Sequence, residues 1–570
     1  MSKKHTYILG INLSHDGSAC LLKDGQIAVA IEKERLTRIK HDGGNDKLAV
    51  EYCLNAEGIT INDLDLVVQN ANFEKENIQI NSYSGQRAFP ANYNVPIITI
   101  SHHLAHAYSA IGTSPFDTCN IMVIDGCGSP YSQCDDLDKT LITNIDEIKA
   151  NPQNFWCEKL SLYSYTNQKL TPIYKDFSPF RHTQPIKPLQ MPTITHSIGG
   201  VYQAASEYCF GSTDDTGKLM GLSPYGEKGA YTRPIFELKD GQVFNTFDWM
   251  DELTLPSHSY QNFKTNFQYY ANIARWVQDE TERALLHLFN HHQKNYPQNN
   301  WCYAGGVALN AVANQRIWAE TNIKNLYIQP AAADNGIAIG CAYYGWLEVL
   351  KRERVKHNGN SNFGKHYPKN SIVNNDDAIL LNENSNTTET TAELLASGMV
   401  IGWFTSGSEF GPRALGFRSI LAHPAKEGLR DYINREIKNR EDFRPFAPVV
   451  LREDVTQYFK YDWDSPYMIL VNPVKKEWEQ RLQNVVHLNG TARVQTVTAQ
   501  NNPALYNLLM EFKKITGLSL LLNTSFNNRG MPIVETPQQA FDFFVNSPLD
   551  ALIIDNKIYS KQTHGEKISI

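Results

Sequence analysis

The chain has 570 residues and a formal net charge of −7. Because a single core stops growing at roughly 250–300 residues, at least two domains are expected. An acidic chain without a broad basic surface argues against a nucleic acid partner, and no run approaches the roughly 18 apolar residues of a membrane helix. Nine cysteines without a CxxC pair favour reduced thiols, so we expect a cytoplasmic globular protein with no membrane partner.

The first two thirds of the chain alternate apolar strands, glycine turns and helices. TYILGINL and SACLLKDGQIAVAIEKER predict a strand and then a hairpin across Lys23-Asp24-Gly25. Further strand-turn units are predicted at 120–130 and 301–310. No clear sequence repeat is visible, but the duplicated strand-turn units at 7–19 and 120–128 indicate two related halves. Helices are predicted at 195–210, 263–295 and 332–354, the last beginning at Asp334. This pattern predicts an α/β fold with phosphate-binding turns at strand ends.

A polar stretch rich in Asn and Gly at 356–376 predicts an exposed linker between domains. After it, a smaller α/β unit is predicted: a helix at 388–397, the strand MVIGWF, an arginine-rich turn, the strand LSLLLNTSF and a final strand ALIIDNKIY. We therefore predict a first domain at 1–355 and a second domain at 377–570.

Four side chains of the first domain could bind a metal. His102 and His106 lie four residues apart, which places them on one helix face, as a metal pair requires. Asp125 follows an apolar strand, and Asp334 begins a helix. Two imidazoles with two carboxylates suit iron or manganese better than structural zinc. Taken singly, the histidines fit a core or surface helix, Asp125 a turn and Asp334 an N-cap, so these alternatives stay open.

Three glycine turns could hold phosphates: HDGSA at 15–19, DGCGS at 125–129 and GGVALN at 305–310. GKLMGLSPYG at 217–226 adds Lys218 and a further turn. Each of them alone fits ordinary turn geometry equally well. Together they resemble the nucleotide cleft of the actin-like ATPase superfold, with two phosphate turns and an adenosine turn.

Positive charge is concentrated in residues 406–448. Between Gly411 and Arg444, eight Lys or Arg stand against five Asp or Glu. Arginine forks beside glycine and serine amides suit small oxyanions such as phosphate or carboxylate. The polar run NTSFN at 523–527 offers donors to an anion or a carbonyl, or simply holds its own loop. Arg493 is either a further anion contact or an ordinary surface residue.

Six ordered blocks carry a resemblance over essentially the full chain: HDGSA, EKERLTRIKHD (32–42), SHHLAHA, GKLMGLSPYG, GGVALN, and GPRALGFRS with NTSFN. With these blocks the chain resembles the O-carbamoyltransferases of the NodU/CmcH type. The resemblance implies an N-terminal actin-like domain of the ASKHA, threonylcarbamoyl-transferase-like type. It also implies a C-terminal YrdC-like α/β domain.

The resemblance further implies the chemistry. The C-terminal domain would make carbamoyl-adenylate from carbamoyl phosphate and ATP with Mg²⁺. The N-terminal domain would transfer the carbamoyl group to a hydroxyl of a small-molecule acceptor, a natural product or sugar, as in antibiotic or other secondary metabolite biosynthesis. Residues matching the carbamoyl phosphate and ATP contacts are Arg413, Arg418, Lys438, Arg444, Arg493, Asn523 and Ser525.

Three other sets of residues follow from the resemblance. The metal ligands, usually of iron, would be His102, His106, Asp125 and Asp334. The nucleotide contacts of the N-terminal domain would be Asp16, Gly126, Lys218, Gly305, Gly306 and Asn310. The catalytic residues would be His15, Lys438 and Arg444, with His15 acting either as a base near the acceptor hydroxyl or as a phosphate ligand.

Three other functions compete with this one. An actin-fold small-molecule kinase would share the glycine turns but has no use for an arginine-rich second domain or for the histidine pair. Threonylcarbamoylation of tRNA would require a basic surface, which the overall acidity opposes. A nucleotide- and metal-binding regulator without turnover would also have these pockets, but the Arg and Lys set that the chain retains argues against it. A homodimer is compatible with the sequence.

Overall fold

A computed structural model describes residues 5–44, 46–70, 95–152, 155–180, 197–245, 249–255, 260–368, 378–382 and 386–561. The chain divides into two compact units. The first comprises Met1–Lys33 and His41–Gly359, and the second comprises Glu34–Lys40 and Asn360–Ile570. Within the described residues, no helix is both long enough and apolar enough to cross a membrane.

Within its described residues, the first unit contains twelve strands and most of the helices. Its strands are β1 Tyr7–Asn12, β2 Ser18–Lys23, β3 Gln26–Glu32, β4 Leu66–Asn70, β5 Ile97–Thr99, β6 Cys119–Ile124, β7 Phe155–Thr166, β8 Lys169–Phe180, β9 Phe236–Lys239, β10 Gln242–Asn245, β11 Asn300–Ala304 and β12 Asn325–Ile328. Its helices are α2 Lys47–Glu57, α3 His102–Thr113, α4 Ile145–Ala150, α5 Ile198–Phe210, α6 Thr216–Leu222, α7 Tyr260–Thr265, α8 Phe267–Asn295, α9 Ala311–Glu320 and α10 Ile337–Tyr344. Helix α1, Lys33–Thr37, begins at the end of the unit's first segment.

Two five-stranded sheets of the first unit repeat one topology. Their strand orders are β3-β2-β1-β4-β5 and β8-β7-β6-β11-β12. In each sheet the first three strands pair antiparallel, and two later strands join in parallel. This duplicated order is that of the actin-like fold, so the actin-like fold predicted for the first unit is confirmed. The central strand β6 is buried at every position, as expected for a strand covered on both faces.

Local sequence patterns account for several elements. The hairpin predicted across Lys23-Asp24-Gly25 is confirmed, and Asp24 and Gly25 have φ values of 51° and 83°, as the favoured two-residue hairpin turn requires. The helix predicted at 332–354 is shorter than expected. A 3₁₀ turn at Asp334–Gly336 precedes α10, and a π-helix at Gly345–Val349 ends the helical run.

The second unit is built on one mixed sheet of nine strands, which confirms the predicted α/β class. Its strands are β13 Ala378–Asn382, β14 Ile401–Phe404, β15 Arg418–Ala422, β16 Ala447–Leu451, β17 Leu470–Pro473, β18 Thr491–Val497, β19 Leu520–Ser525, β20 Ala551–Ile554 and β21 Lys557–Lys561. Its helices are α11 Thr387–Ser397, α12 Leu429–Tyr432, α13 Val455–Tyr458, α14 Lys476–Glu479, α15 Pro503–Thr516 and α16 Pro537–Val545. The sheet order is β13-β21-β20-β14-β15-β19-β16-β18-β17. The predicted final strand is in fact a hairpin of two strands, β20 and β21.

Part of the segment predicted as an exposed linker is packed within the second unit. Ser361 and Phe363 are 5% and 7% exposed, and the backbone N–H of Gly364 donates to the carbonyl of Ser408 at 2.9 Å. Residues 369–376 of the predicted linker lie outside the described residues. The packed part follows directly after Gly359, where the first unit ends.

Helix α10 approaches β1 and α3 through glycines. A Cβ at Gly340 would overlap the carbonyl oxygen of Ala105 on α3, and a Cβ at Gly10 would overlap that of Ala338 on α10. Only glycine permits backbone contact at this distance. The contact fixes α3 relative to the start of α10, the two elements where the predicted metal ligands lie.

We expect Gly340→Ala to destabilise the protein by about 1–3 kcal/mol, because its methyl group has no space against backbone atoms. Gly217→Ala in α6 is the matched control. Apart from its chain neighbours and the backbone of its own helix, no described atom lies within 4 Å of its added Cβ, and alanine favours a helix by about 1 kcal/mol. Thermal unfolding of both variants checks this. Equal melting temperatures for the two variants would show that the α3–α10 contact does not need glycine.

Candidate functional site

The four predicted metal ligands come together in the first unit. Helix α3 begins at His102 and carries His106 one turn later, Asp125 follows β6, and Asp334 lies in the turn before α10. One donor atom from each of the four lies within 4.8 Å of the others. His102 Nε2 is 2.8 Å from Asp125 Oδ2 and 3.4 Å from Asp334 Oδ1, and the corresponding distances from His106 Nε2 are 3.6 and 3.7 Å.

Charge and hydrogen bonding favour a cation at this cluster. Burial opposes the charge of His102, but Asp334 and Asp125 together raise its pKa well above the usual value. Burial likewise opposes the charge of Asp125, but hydrogen bonds from His102 and His106 hold its pKa well below the usual value. The two Nε2 atoms lie only 3.2 Å apart and face the same two carboxylates. This set of two imidazoles and two carboxylates fits a divalent cation of the iron and manganese type.

A buried ion pair positions the start of α3. Lys175 Nζ is 2.6 Å from Glu158 Oε1, and both residues are 1% exposed. Glu158 Oε2 accepts the backbone N–H groups of His103 and Ser129 at 3.3 and 3.2 Å. Ser129 Oγ in turn accepts the N–H of His102 at 2.8 Å. The pair thus supports both the ligand-bearing helix and the loop after β6; the sequence pattern did not indicate it.

Glycine turns lie beside the same cluster. Asp125 Oδ1 accepts the backbone N–H groups of Gly126 and Gly306 at 2.8 and 3.2 Å. Gly305 has a φ of 92°, and a Cβ there would overlap the carbonyl oxygen of Ile124. The predicted phosphate turns after β6 and β11 therefore meet at Asp125.

Two other predicted nucleotide contacts are engaged within the protein. The side-chain amide of Asn310 pairs with that of Gln278 at 3.0 and 3.2 Å, and its oxygen caps α9 through the N–H of Ala313. Lys218 Nζ lies 2.6 Å from Asp215 Oδ2. Asn310 is 8% exposed, so its side chain supports the turn before α9.

His15 lies in the turn between β1 and β2, between two carboxylates. Its ring nitrogens are 3.4 Å from Asp16 Oδ2 and 3.3 Å from Asp214 Oδ1, and its ring stacks on His41 with centroids 5.2 Å apart. His41 Nδ1 lies 2.6 Å from Asp16 Oδ1. Burial opposes the charge of His15, yet hydrogen bonds to Asp16 and Asp214 raise its pKa to about 11. A protonated, half-exposed His15 fits an anion ligand better than a general base.

The second unit contains a cluster of arginines close enough to repel one another. Burial lowers the pKa of Arg413 to about 10, with a further contribution from Arg444. Burial also lowers the pKa of Arg493 and of Arg440 well below the usual value, and neighbouring guanidinium groups add to this. The Nε atoms of Arg413 and Arg493 are buried without a hydrogen-bond partner among the described residues. We refer to Arg413, Arg440, Arg444 and Arg493 as the arginine cluster.

The carboxylate of Glu441 lies near the arginine cluster and acts to raise the pKa of Arg440. Its Oε2 lies 4.0 Å from Arg444, and its Oε1 lies 3.4 Å from Arg529. Buried Nε donors without a partner, within a group of like charges, suit an anion. Arg440 was not among the predicted contacts. Arg440 belongs to the arginine cluster because the fold brings this part of the chain close to Arg493 on β18.

Lys438, a predicted contact of carbamoyl phosphate and ATP, is hydrogen-bonded within the second unit, and its contact with those ligands stays a prediction. Lys438 is 2% exposed, and its Nζ donates to the carbonyl and hydroxyl of Ser525 and to the carbonyl and side-chain oxygen of Asn527, at 2.6 to 3.2 Å. Burial lowers its pKa well below the usual value, helped by Arg440 and Arg444. The ammonium group therefore holds the turn after β19, and we assign Lys438 a positioning role.

Arg418, another predicted contact of carbamoyl phosphate and ATP, is also hydrogen-bonded within the second unit, and its contact with those ligands stays a prediction. Arg418 is fully buried, and its guanidinium donates to the carbonyls of Glu535, Thr405, Phe417 and Ser406 at 2.8 to 3.3 Å. The group also lies over the ring of Phe404, 3.5 Å from its centroid. Because backbone carbonyls and an aromatic face occupy this guanidinium, Arg418 stabilises the fold.

Family comparisons match both parts of the chain. The family description "Carbamoyltransferase N-terminus" matches residues 7–88 and 66–343, and "Carbamoyltransferase C-terminus" matches residues 392–561. The nodulation protein NolNO of Sinorhizobium fredii is 30% identical over 99% of this chain and 82% of its own length. An uncharacterized protein of Synechocystis sp. is 31% identical over 99% of this chain and 98% of its own length.

Solved structures are more distant. Full-length HypF in its phosphate- and nucleotide-bound form covers 62% of this chain and 57% of its own, at 12% identity and a TM-score of 0.37. A likeness of this size carries no argument about the function of the chain.

Glu158→Gln should weaken divalent metal binding by about 10–100-fold, the usual range for partners that orient metal ligands. A glutamine cannot accept from His103 and Ser129 and also attract Lys175 as a carboxylate does. Equilibrium dialysis with Mn²⁺ or Fe²⁺ measures the affinity. Glu320→Gln, in an exposed pair with Arg316, is the control. Unchanged affinity in Glu158→Gln would remove the ion pair from any role in metal binding.

Arg493→Met should raise the melting temperature by about 2–4 °C, because it removes one of several guanidinium groups that disfavour one another's charge. Inorganic phosphate should raise the melting temperature of the wild-type protein but much less that of the variant. Differential scanning fluorimetry measures both effects. Arg435→Met, in an exposed pair with Asp442, should behave like wild type. A destabilised Arg493→Met that still responds fully to phosphate contradicts an anion site at the cluster.

Proposed function

Since the chain belongs to the carbamoyltransferase family and is a carbamoyl-transferring enzyme, we propose that it works in two ATP-dependent steps. In the first step, carbamoyl phosphate and ATP give carbamoyl-adenylate in the second unit. In the second step, the first unit transfers the carbamoyl group to a hydroxyl of a small-molecule acceptor. The arginine cluster is the observation that carries this proposal.

The arginine cluster suits the first step because both reactants are polyanions. Loss of phosphate from carbamoyl phosphate, with addition of water, leaves carbamate. A carbamate oxygen then attacks the α-phosphorus of ATP, and pyrophosphate leaves with the displaced charge. Unpaired Nε donors of Arg413 and Arg493 would hold the phosphate oxygens, and Arg440 and Arg444 would offset the charge that accumulates. Lys438 keeps the turn at Ser525 in place.

The second step falls to the first unit. The acceptor oxygen attacks the carbamoyl carbon, AMP leaves, and the hydroxyl proton passes to a base or to water. A cation held by His102, His106, Asp125 and Asp334 would polarise a carbonyl or phosphoryl oxygen when bound. We assign protonated His15 to the phosphate of the departing AMP, because Asp16 and Asp214 keep it charged.

An actin-fold small-molecule kinase would have no use for the arginine cluster. A sugar or acid kinase transfers the γ-phosphoryl group of ATP and needs one nucleotide site. The second unit here occupies about 200 residues and carries its own group of unpaired arginine donors. Its presence supports activation of a second anionic substrate.

Purified protein given carbamoyl phosphate, ATP and Mg²⁺ without an acceptor should release pyrophosphate. Arg413→Ala should reduce that release by about 10²-fold, because the variant loses a buried donor to the phosphate. Arg435→Ala, an exposed arginine of the same segment, is the control. Formation of ADP without any need for carbamoyl phosphate contradicts the proposed reaction.

His106→Ala should separate the two steps. We expect this variant to lose bound divalent metal and carbamoyl transfer, while pyrophosphate release stays within about twofold of wild type, because His106 belongs to the metal cluster of the first unit. Metal analysis together with pyrophosphate release measures both properties. His366→Ala, an exposed residue of the second unit, is the control. Full metal content in His106→Ala would remove this residue from the ligand set.

A further inference from the structure

The side-chain oxygen of Asn523 is a buried acceptor without a donor. Asn523 is 1% exposed, and its Oδ1 has no hydrogen-bond partner among the described residues. The large majority of buried polar side-chain atoms in proteins are paired, so an unpaired one points to a missing group. The neighbouring arginine cluster offers only donors. A single hydrogen-bond acceptor beside these donors therefore cannot serve to bind an anion.

Two backbone carbonyls fix the direction of this amide. Asn523 Nδ2 donates to the carbonyl of Ala414 at 3.1 Å and to Gln495 Oε1 at 2.7 Å. Gln495 Nε2 donates to the carbonyl of Leu415 at 2.9 Å. Because a carbonyl can only accept, the nitrogen of each amide must face the Ala414–Leu415 turn. The Asn523 oxygen is thereby turned away and left as a free acceptor.

The free acceptor belongs to the same surface as the arginines. Gln495 lies two residues after Arg493 on β18, and Asn523 lies two residues before Ser525 on β19. Residues two apart on a strand share one face of the sheet. Strands β18 and β19 flank β16, and the amides of Gln495 and Asn523 meet across it. Arg413 directly precedes Ala414, the other partner of Asn523.

We propose that Asn523 accepts a hydrogen bond from the carbamoyl NH₂ group and that Gln495 is the positioning residue that keeps this acceptor in place. The pair then selects carbamoyl phosphate over acetyl phosphate, which carries a methyl group in place of the NH₂. A site with a buried polar group rejects an analogue that leaves that group unpaired, commonly by a large factor. This inference rests on the proposed function, because it specifies how the second unit recognises its carbamoyl donor.

Calorimetric titration of the full chain tests the inference with three ligands: carbamoyl phosphate, acetyl phosphate and inorganic phosphate. We expect wild type to bind carbamoyl phosphate at least tenfold more tightly than acetyl phosphate. Gln495→Met keeps the side-chain length but removes both hydrogen bonds. It should lower the preference for carbamoyl phosphate by about tenfold while phosphate affinity stays within about twofold. Gln480→Met, at an exposed position of the same unit, should match wild type.

A second variant keeps the test decisive if Gln495→Met does not fold. Asn523→Leu removes the acceptor itself, so carbamoyl phosphate and acetyl phosphate should bind with similar affinities. Phosphate binding reports that the arginine cluster is intact in each variant. A variant that loses phosphate and carbamoyl phosphate binding in equal measure would show a merely structural role and overturn the inference.

The failures of the inference and of the proposed function give different results. If wild type prefers carbamoyl phosphate and both variants keep that preference, the inference is wrong and the proposed function stands. If wild type binds carbamoyl phosphate no more tightly than inorganic phosphate, the proposed function is wrong, and the inference fails with it.

Discussion

The second unit depends on an electrostatic constraint: the guanidinium groups of the arginine cluster lie close enough to disfavour one another's charge. Burial and mutual repulsion disfavour the charges of Arg413, Arg440 and Arg493. The surrounding structure must therefore hold them together. Cations that are hydrogen-bonded within the protein accompany arginines whose Nε donors have no partner among the described residues. Arg418 is fixed by backbone carbonyls, and Lys438 holds the turn after β19. The unpaired donors are left for an anion.

In the first unit, the charge that the structure must balance is negative, because carboxylates are gathered there. Duplicated sheets end in turns that bring Asp125 beside the histidines of α3, while the α3–α10 contact places Asp334 opposite them. Buried carboxylates are stable here because imidazoles and backbone N–H groups face them. A cation would replace protons on the histidines as the balancing charge. Each unit thus contains charged side chains whose charge a bound ligand of opposite sign can balance.

Sequence patterns predicted what is local or ordered along the chain. The Asp24-Gly25 hairpin, the two related halves and the residues of the metal cluster follow from turn chemistry, strand ends and spacing. Partners far apart in sequence could not be predicted this way. Arg418 and Arg413 look alike in the sequence, yet carbonyls from two other segments, at Thr405–Ser406 and at Glu535, accept from the guanidinium of Arg418. Gln495 and Glu158 were missed for the same reason. Helix α10 is shorter than its apolar pattern because the chain passes into a π-helix.

A crystal structure of the full chain with carbamoyl phosphate and a non-hydrolysable ATP analogue tests the central claim most directly. We expect a phosphate group within hydrogen-bond distance of the Nε atoms of Arg413 and Arg493. We also expect the carbamoyl nitrogen against Asn523 Oδ1. A carbamoyl phosphate bound elsewhere, with these donors still unpaired, would contradict the assignment of the arginine cluster as the site where the carbamoyl group is activated.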